Sequence, residues 1–135
     1  MITIAEKINA SIPSTCKIIE ARDEELLLEL ARKQADAGAN YLDVNVGTGS
    51  GGQQDEIDAM RWAVTTIQKE VETPLCIDSA DPQVLAAGLE ARGERPALLN
   101  STKGSDHYLE AVLPLAREFA KPMVGLAMDE EGIPK

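Results

Sequence analysis

Short apolar runs alternate with longer stretches of helical spacing from one end of the chain to the other. Ile2-Thr3-Ile4-Ala5 is rich in β-branched residues and predicts a strand over residues 2–5. It runs into the polar end Glu6-Lys7-Ile8-Asn9. Residues 10–21 hold Ser11, Pro13, Ser14 and Thr15 and read as a loop. Asp23 suits a helix N-cap, Leu27, Leu30, Ala31 and Ala35 then keep helical spacing, and Gly38 stands where a helix ends. Tyr41-Leu42-Asp43-Val44-Asn45-Val46 is the next predicted strand, and a loop with four glycines in residues 47–52 follows it. Asp55 or a neighbour is expected to cap a long helix with Ile57, Met60, Val64, Ile67 and Val71 on one face; Trp62 reads as a packing or helix-surface contact. Leu75-Cys76-Ile77-Asp78 is a short apolar run ending in a carboxylate. Asp81-Pro82 reads as the N-cap and first turn of a helix to about Ala91, and Gly93 stops it. Residues 96–100 and 122–127 predict a fourth and a fifth strand. Between them a helix opening at Ser105 or Asp106 is interrupted at Pro114.

Strand and helix alternate throughout, which predicts an α/β fold of parallel βαβ units. Ligands of such sheets sit at the C-terminal ends of the strands. Asn9, Asn45, Asp78 and Asn100 are the polar residues at those ends, and Asp43 shares a strand face with Asn45. The set is amides and carboxylates. A carboxylate accepts two parallel N–H bonds, and an amide both donates and accepts. Together they match a ring such as a 2-amino-4-oxo pyrimidine, which shows N–H, NH₂ and C=O side by side. The competing reading is that these groups cap helices and satisfy loop backbones.

Composition narrows the classes. The 135 residues fit one domain, and aromatics at 3% point to an aliphatic core of the kind that lines parallel sheets. A net charge of −10 disfavours nucleic acid and anionic membranes as partners. The sequence shows no apolar run long enough to span a bilayer and no signal-peptide pattern. Cys16 and Cys76 are too few for a disulfide framework or a zinc site, so free thiols and a cytoplasmic setting are expected. His107, the one histidine, falls at a helix start and reads as a surface residue.

Five segments, taken in order, carry a family resemblance. They are Glu6-Lys7-Ile8-Asn9, Leu42-Asp43-Val44-Asn45-Val46-Gly47, Cys76-Ile77-Asp78-Ser79, Leu99-Asn100-Ser101-Thr102 and Gly125-Leu126-Ala127-Met128 with Gly132-Ile133-Pro134-Lys135. In register, they resemble the methyltetrahydrofolate:corrinoid protein methyltransferases. The folate domain of methionine synthase and dihydropteroate synthase are more distant relatives. The resemblance implies a TIM-type (β/α)₈ barrel forming one pterin-binding domain over residues 1–135. It implies that Asp78 and Asn100 hydrogen-bond the pterin, with Asp43, Asn45 and Asn9 in or beside the pocket. It further implies tetrahydrofolate or methyltetrahydrofolate as substrate and a corrinoid (cobalamin) carried by a partner protein. The N5-methyl group would pass to or from the cobalt, and a homodimer is allowed.

Such a barrel takes roughly 250 residues, whereas this sequence supplies about five of its eight strands. The pterin contacts that later strands give the family have no counterpart here. The 135 residues are therefore expected to be an incomplete barrel, inactive alone. Three rivals stay open. Dihydropteroate synthase usually follows the second strand with Gly-Gly-x-Ser-Thr-Arg-Pro, and here Val46-Gly47-Thr48-Gly49-Ser50-Gly51-Gly52 has no arginine. A corrinoid-binding module needs Asp-x-His-x-x-Gly, and Asp106 and His107 are adjacent instead. A non-catalytic half-barrel that pairs with another chain is the third.

Overall fold

The computed structural model describes residues 3–48, 51–93, 95, 97–101 and 124–128. Its elements are β1 (Ile4–Asn9), α1 (Pro13–Ala21), α2 (Glu24–Asp36), β2 (Tyr41–Asn45), α3 (Gln53–Gln68), β3 (Leu75–Asp78), α4 (Pro82–Ala91), β4 (Ala97–Ser101) and β5 (Val124–Met128). The strands form one parallel sheet in the order β1-β2-β3-β4-β5.

That order carries the architecture. A doubly wound sheet reverses its strand order at a switch point, and this sheet never does. Right-handed crossovers between consecutive parallel strands place their helices on one face. One aliphatic core accordingly joins Ile8, Leu42, Val44, Leu75 and Ile77 of the strands to Leu27, Ala31, Met60, Val64 and Leu85 of the helices. These are parallel β/α units of the TIM-barrel type. The residues between them in β2 and β3, Asp43 and Cys76, face the other side of the sheet, called the inner face below.

Local chemistry explains most boundaries. The Asp23 carboxylate accepts the Leu26 N–H at 3.1 Å, and Asp81 accepts that of Gln83 at 2.9 Å, so both expected N-caps are in place. Gly38 and Gly93 follow their helices at φ +97 and +68, a region that L side chains rarely adopt. Arg61–Glu90 and Lys69–Glu24 are exposed ion pairs and add little to stability. Among the described residues, no helix is long and apolar enough to cross a membrane.

Three expectations are corrected. Residues 13–21, read as a loop, form α1. Pro13 occupies the first turn, where its missing N–H costs nothing, and Ile19 is buried. The helix closes through Arg22, whose left-handed φ of 53 lets its N–H reach back to the Ile18 and Ile19 carbonyls. Asp55 does not cap α3. Gly52 does, without a side-chain bond, and Asp55 and Glu56 lie in the first turn. The first strand is Ile4–Asn9, so Glu6 and Lys7 lie inside it. The arginine side chain of Arg22 sits 5.6 Å from the ring centre of Trp62, which is a helix-surface contact as expected. The predicted helix around Pro114, and His107, lie outside the described residues.

Candidate functional site

The sheet register gathers the polar strand ends along one edge. Asn9 pairs with Asn45, and Asp78 with Asn100. The pairs Leu42–Leu75, Asp43–Cys76 and Val44–Ile77 carry the register on to Asn45 beside Asp78. The C-terminal rim therefore reads Asn9, Asn45, Asp78, Asn100 across four consecutive strands. Asp43 sits two residues below Asn45, on the same face.

The side chains differ in what they are free to do. Asn9 Oδ1 accepts the Ser11 N–H at 2.9 Å, and Asn45 Oδ1 accepts that of Gly47 at 3.0 Å. Both amides thus hold their own loops through the carbonyl, as the competing reading expects; among the described residues their N–H₂ groups have no acceptor. Asp78 behaves otherwise. It is 5% exposed, and its Oδ1 has no hydrogen-bond partner among the described residues. Capping of α4 falls to Asp81 instead, and Ser79 Oγ accepts the Asp81 N–H at 3.0 Å and donates to Glu56 at 2.9 Å. A buried carboxylate oxygen is costly to leave unsatisfied, and this one stands at the end of a strand where ligands bind.

Below the rim, Asp43 and Cys76 are 1% and 0% exposed. Burial pushes the Cys76 thiol far up, the hydrogen-bonded Asp43 carboxylate beside it pushes further, and Asp78 and Glu6 add to the effect. The inner face therefore carries the Asp43 and Asp78 carboxylates around one protonated thiol, which also feels the charge of Glu6. Sequence reading missed Glu6 and Cys76 as members of this cluster, and Glu56 and Ser79 as the pair that closes the rim loops. Glu6 was within reach, since a strand drawn to Asn9 includes it. A cavity of about 310 Å³ lies between β1 and α2, lined by Thr3, Glu6, Lys7, Leu30, Gln34 and Ala39; none of the rim residues lines it.

The thiol gives a pH prediction. The folded Cys76 keeps its proton where an unfolded thiol, at its ordinary 9.0, loses it. Its contribution to stability is whole below pH 9 and shrinks as pH rises beyond, by up to about 1.4 kcal/mol per pH unit. Denaturation midpoints taken from pH 8 to 10.5 are expected to fall more steeply for the native sequence than for Cys76→Ala. Parallel curves would remove the buried thiol from the explanation.

The fold is a set of parallel β/α units with an acid-and-amide rim at the C-terminal ends of its strands. Residues 5–134 match the family of pterin binding enzymes, and the chain belongs to that family. It is 40% identical to the methylcorrinoid:tetrahydrofolate methyltransferase of Eubacterium limosum over 99% of this chain and 49% of that protein. It is also 30% identical to the methionine synthase of Mycobacterium tuberculosis over 83% of this chain and 10% of that protein. The Mycobacterium leprae methionine synthase is 29% identical over 98% of this chain and 11% of its own length. The first of these relatives is a methyltransferase by name, and the chain spans about half its length.

Proposed function

We propose that the protein binds the pterin ring of tetrahydrofolate or methyltetrahydrofolate at the rim formed by Asn9, Asn45, Asp78 and Asn100, with Asp43 beneath it. In the full-length protein, the N5-methyl group then passes to or from the cobalt of a corrinoid held by a partner protein, in the cytoplasm. The observation that carries this reading is the buried Asp78 Oδ1, unpartnered among the described residues and in register with Asn100. A pterin offers N–H and NH₂ side by side, which suits a carboxylate flanked by amides. The relative from Eubacterium limosum is named for the same exchange between methylcorrinoid and tetrahydrofolate.

The chemistry asks for positioning and polarity. A tertiary amine leaves poorly, so N5 needs a proton or a strong hydrogen bond as the methyl departs. Asp78 and Asn100 fix the ring plane. The Asn9 and Asn45 N–H₂ groups supply donors at the rim. Asp43, tied to the Cys76 thiol, contributes charge from below. The corrinoid supplies the methyl-accepting metal when its carrier docks.

Calorimetric titration of tetrahydrofolate into the full-length protein tests the site. Asp78→Ala and Asn100→Ala are each expected to cost about 1–3 kcal/mol of binding. Unchanged affinity in both would return these residues to a purely structural role.

A further inference from the structure

We propose that Gln34, on α2 and away from the rim, is a positioning residue for the site: it holds the bulge in β1 that keeps Asn9 at the rim. The inference deepens the pterin-binding reading and rests on it. Ala5 pairs with Leu42 and Ile8 with Val44, so Glu6 and Lys7 together stand opposite Asp43 alone. One extra residue on one strand is a β-bulge, and it takes a peptide out of the ladder. That peptide is Lys7's. Its N–H donates to Gln34 Oε1 at 3.0 Å, and its carbonyl accepts the Thr15 hydroxyl at 2.8 Å. Gln34 in turn donates from Nε2 to the Leu30 carbonyl at 3.4 Å. Gln34 and Thr15 are 6% and 2% exposed. Polar side chains are tolerated so deep only when they are partnered, and here they satisfy a backbone that the sheet does not.

The bulge decides which way two side chains face. Strand residues alternate between faces, so a regular β1 with Ala5 on the core would send Ile8 to the inner face and Asn9 into the helices. With one residue added, Ala5 and Ile8 both face the core and Asn9 arrives opposite Asn45. Gln34 thus acts on the site through β1 without standing in it.

A double-mutant cycle on the full-length protein, with tetrahydrofolate as the probe, tests this. Gln34→Met, close in shape but without the acceptor, is expected to weaken binding roughly tenfold. In a protein already carrying Asn9→Ala, the same change is expected to weaken it by less than about twofold, because its effect runs through that residue. Gln34→Glu, which keeps an acceptor for the Lys7 N–H, is expected to retain most of the affinity. If Gln34→Met does not fold, Thr15→Val removes the other support of the same peptide and is read in the same cycle. Equal losses in both backgrounds, or no loss in a folded Gln34→Met, would overturn the inference. Should Asp78→Ala weaken binding while Gln34→Met does not, this inference fails alone. Should Asp78→Ala leave binding intact, the pterin site fails and takes this inference with it.

Discussion

Asp78→Asn is expected to raise the thermal midpoint of the protein while weakening tetrahydrofolate binding at least tenfold. The two effects share one cause. Asp78 is buried with one oxygen unpartnered among the described residues, and it shares the inner face with Asp43. A buried group left unsatisfied costs about 1–3 kcal/mol, and more if it is charged. Asparagine keeps the shape and removes the charge. A gain of about 1 kcal/mol is expected from this, or about 4–8 °C for a domain of ~100 residues and less for a larger one. Binding moves the other way. An amide puts a donor or a weaker acceptor where the ring presents N–H groups, and a mismatched polar contact in a buried site is strongly rejected. Scanning calorimetry and titration calorimetry on the same sample check both halves. A lower midpoint with unchanged affinity would show that Asp78 serves the fold.

Such opposed effects mark residues that a fold tolerates for what they bind. They also explain how much of this protein could be read in advance. Leu75-Cys76-Ile77-Asp78 was legible to the residue because a fully buried parallel strand is a bare apolar run, and Asp81-Pro82 punctuates it. α2 and α4 were legible for the same reason, each bounded by an aspartate cap and a glycine stop. The first segment was not. Its bulge puts Ala5 and Ile8 on one face three residues apart, which matches neither the period of a strand nor a clear helix. The bonds that make the bulge affordable come from Thr15 and Gln34, eight and twenty-seven residues on, and no local pattern announces them. α1 was hidden by composition, since Ser11, Pro13 and Ser14 suit a loop and a helix start equally well. At the rim, spacing marked Asn9, Asn45, Asp78 and Asn100 as strand ends. Only the register shows them as neighbours in one line. That two of the amides already hold their loops while Asp78 does not is a matter of single hydrogen bonds, beyond what any pattern encodes.

The helix side of the sheet should matter to the site as well, and Gly88 is where that coupling is sharpest. A methyl group added there would stand 2.5 Å from Ile77 Cγ2 and 3.1 Å from Met60 Cγ. The methionine can swing away, being unbranched and flexible. Ile77 cannot, because it is fully buried in a four-residue strand between two paired neighbours. Gly88→Ala is therefore expected to cost about 1–3 kcal/mol despite the better helix propensity of alanine, with the loss read as a lower denaturation midpoint. The strand that must give way ends one residue later at Asp78, so tetrahydrofolate affinity in the full-length protein should fall too, although Gly88 lies on the opposite side of the sheet from the rim. Ile77→Ala opens the space that the new methyl needs, at its own cavity cost of about 2–5 kcal/mol. The double variant is accordingly expected to be more stable than the sum of the two single losses allows. Strict additivity, or a Gly88→Ala protein as stable as its parent, would show that α4 can slide on the sheet and that the position of Asp78 is set elsewhere.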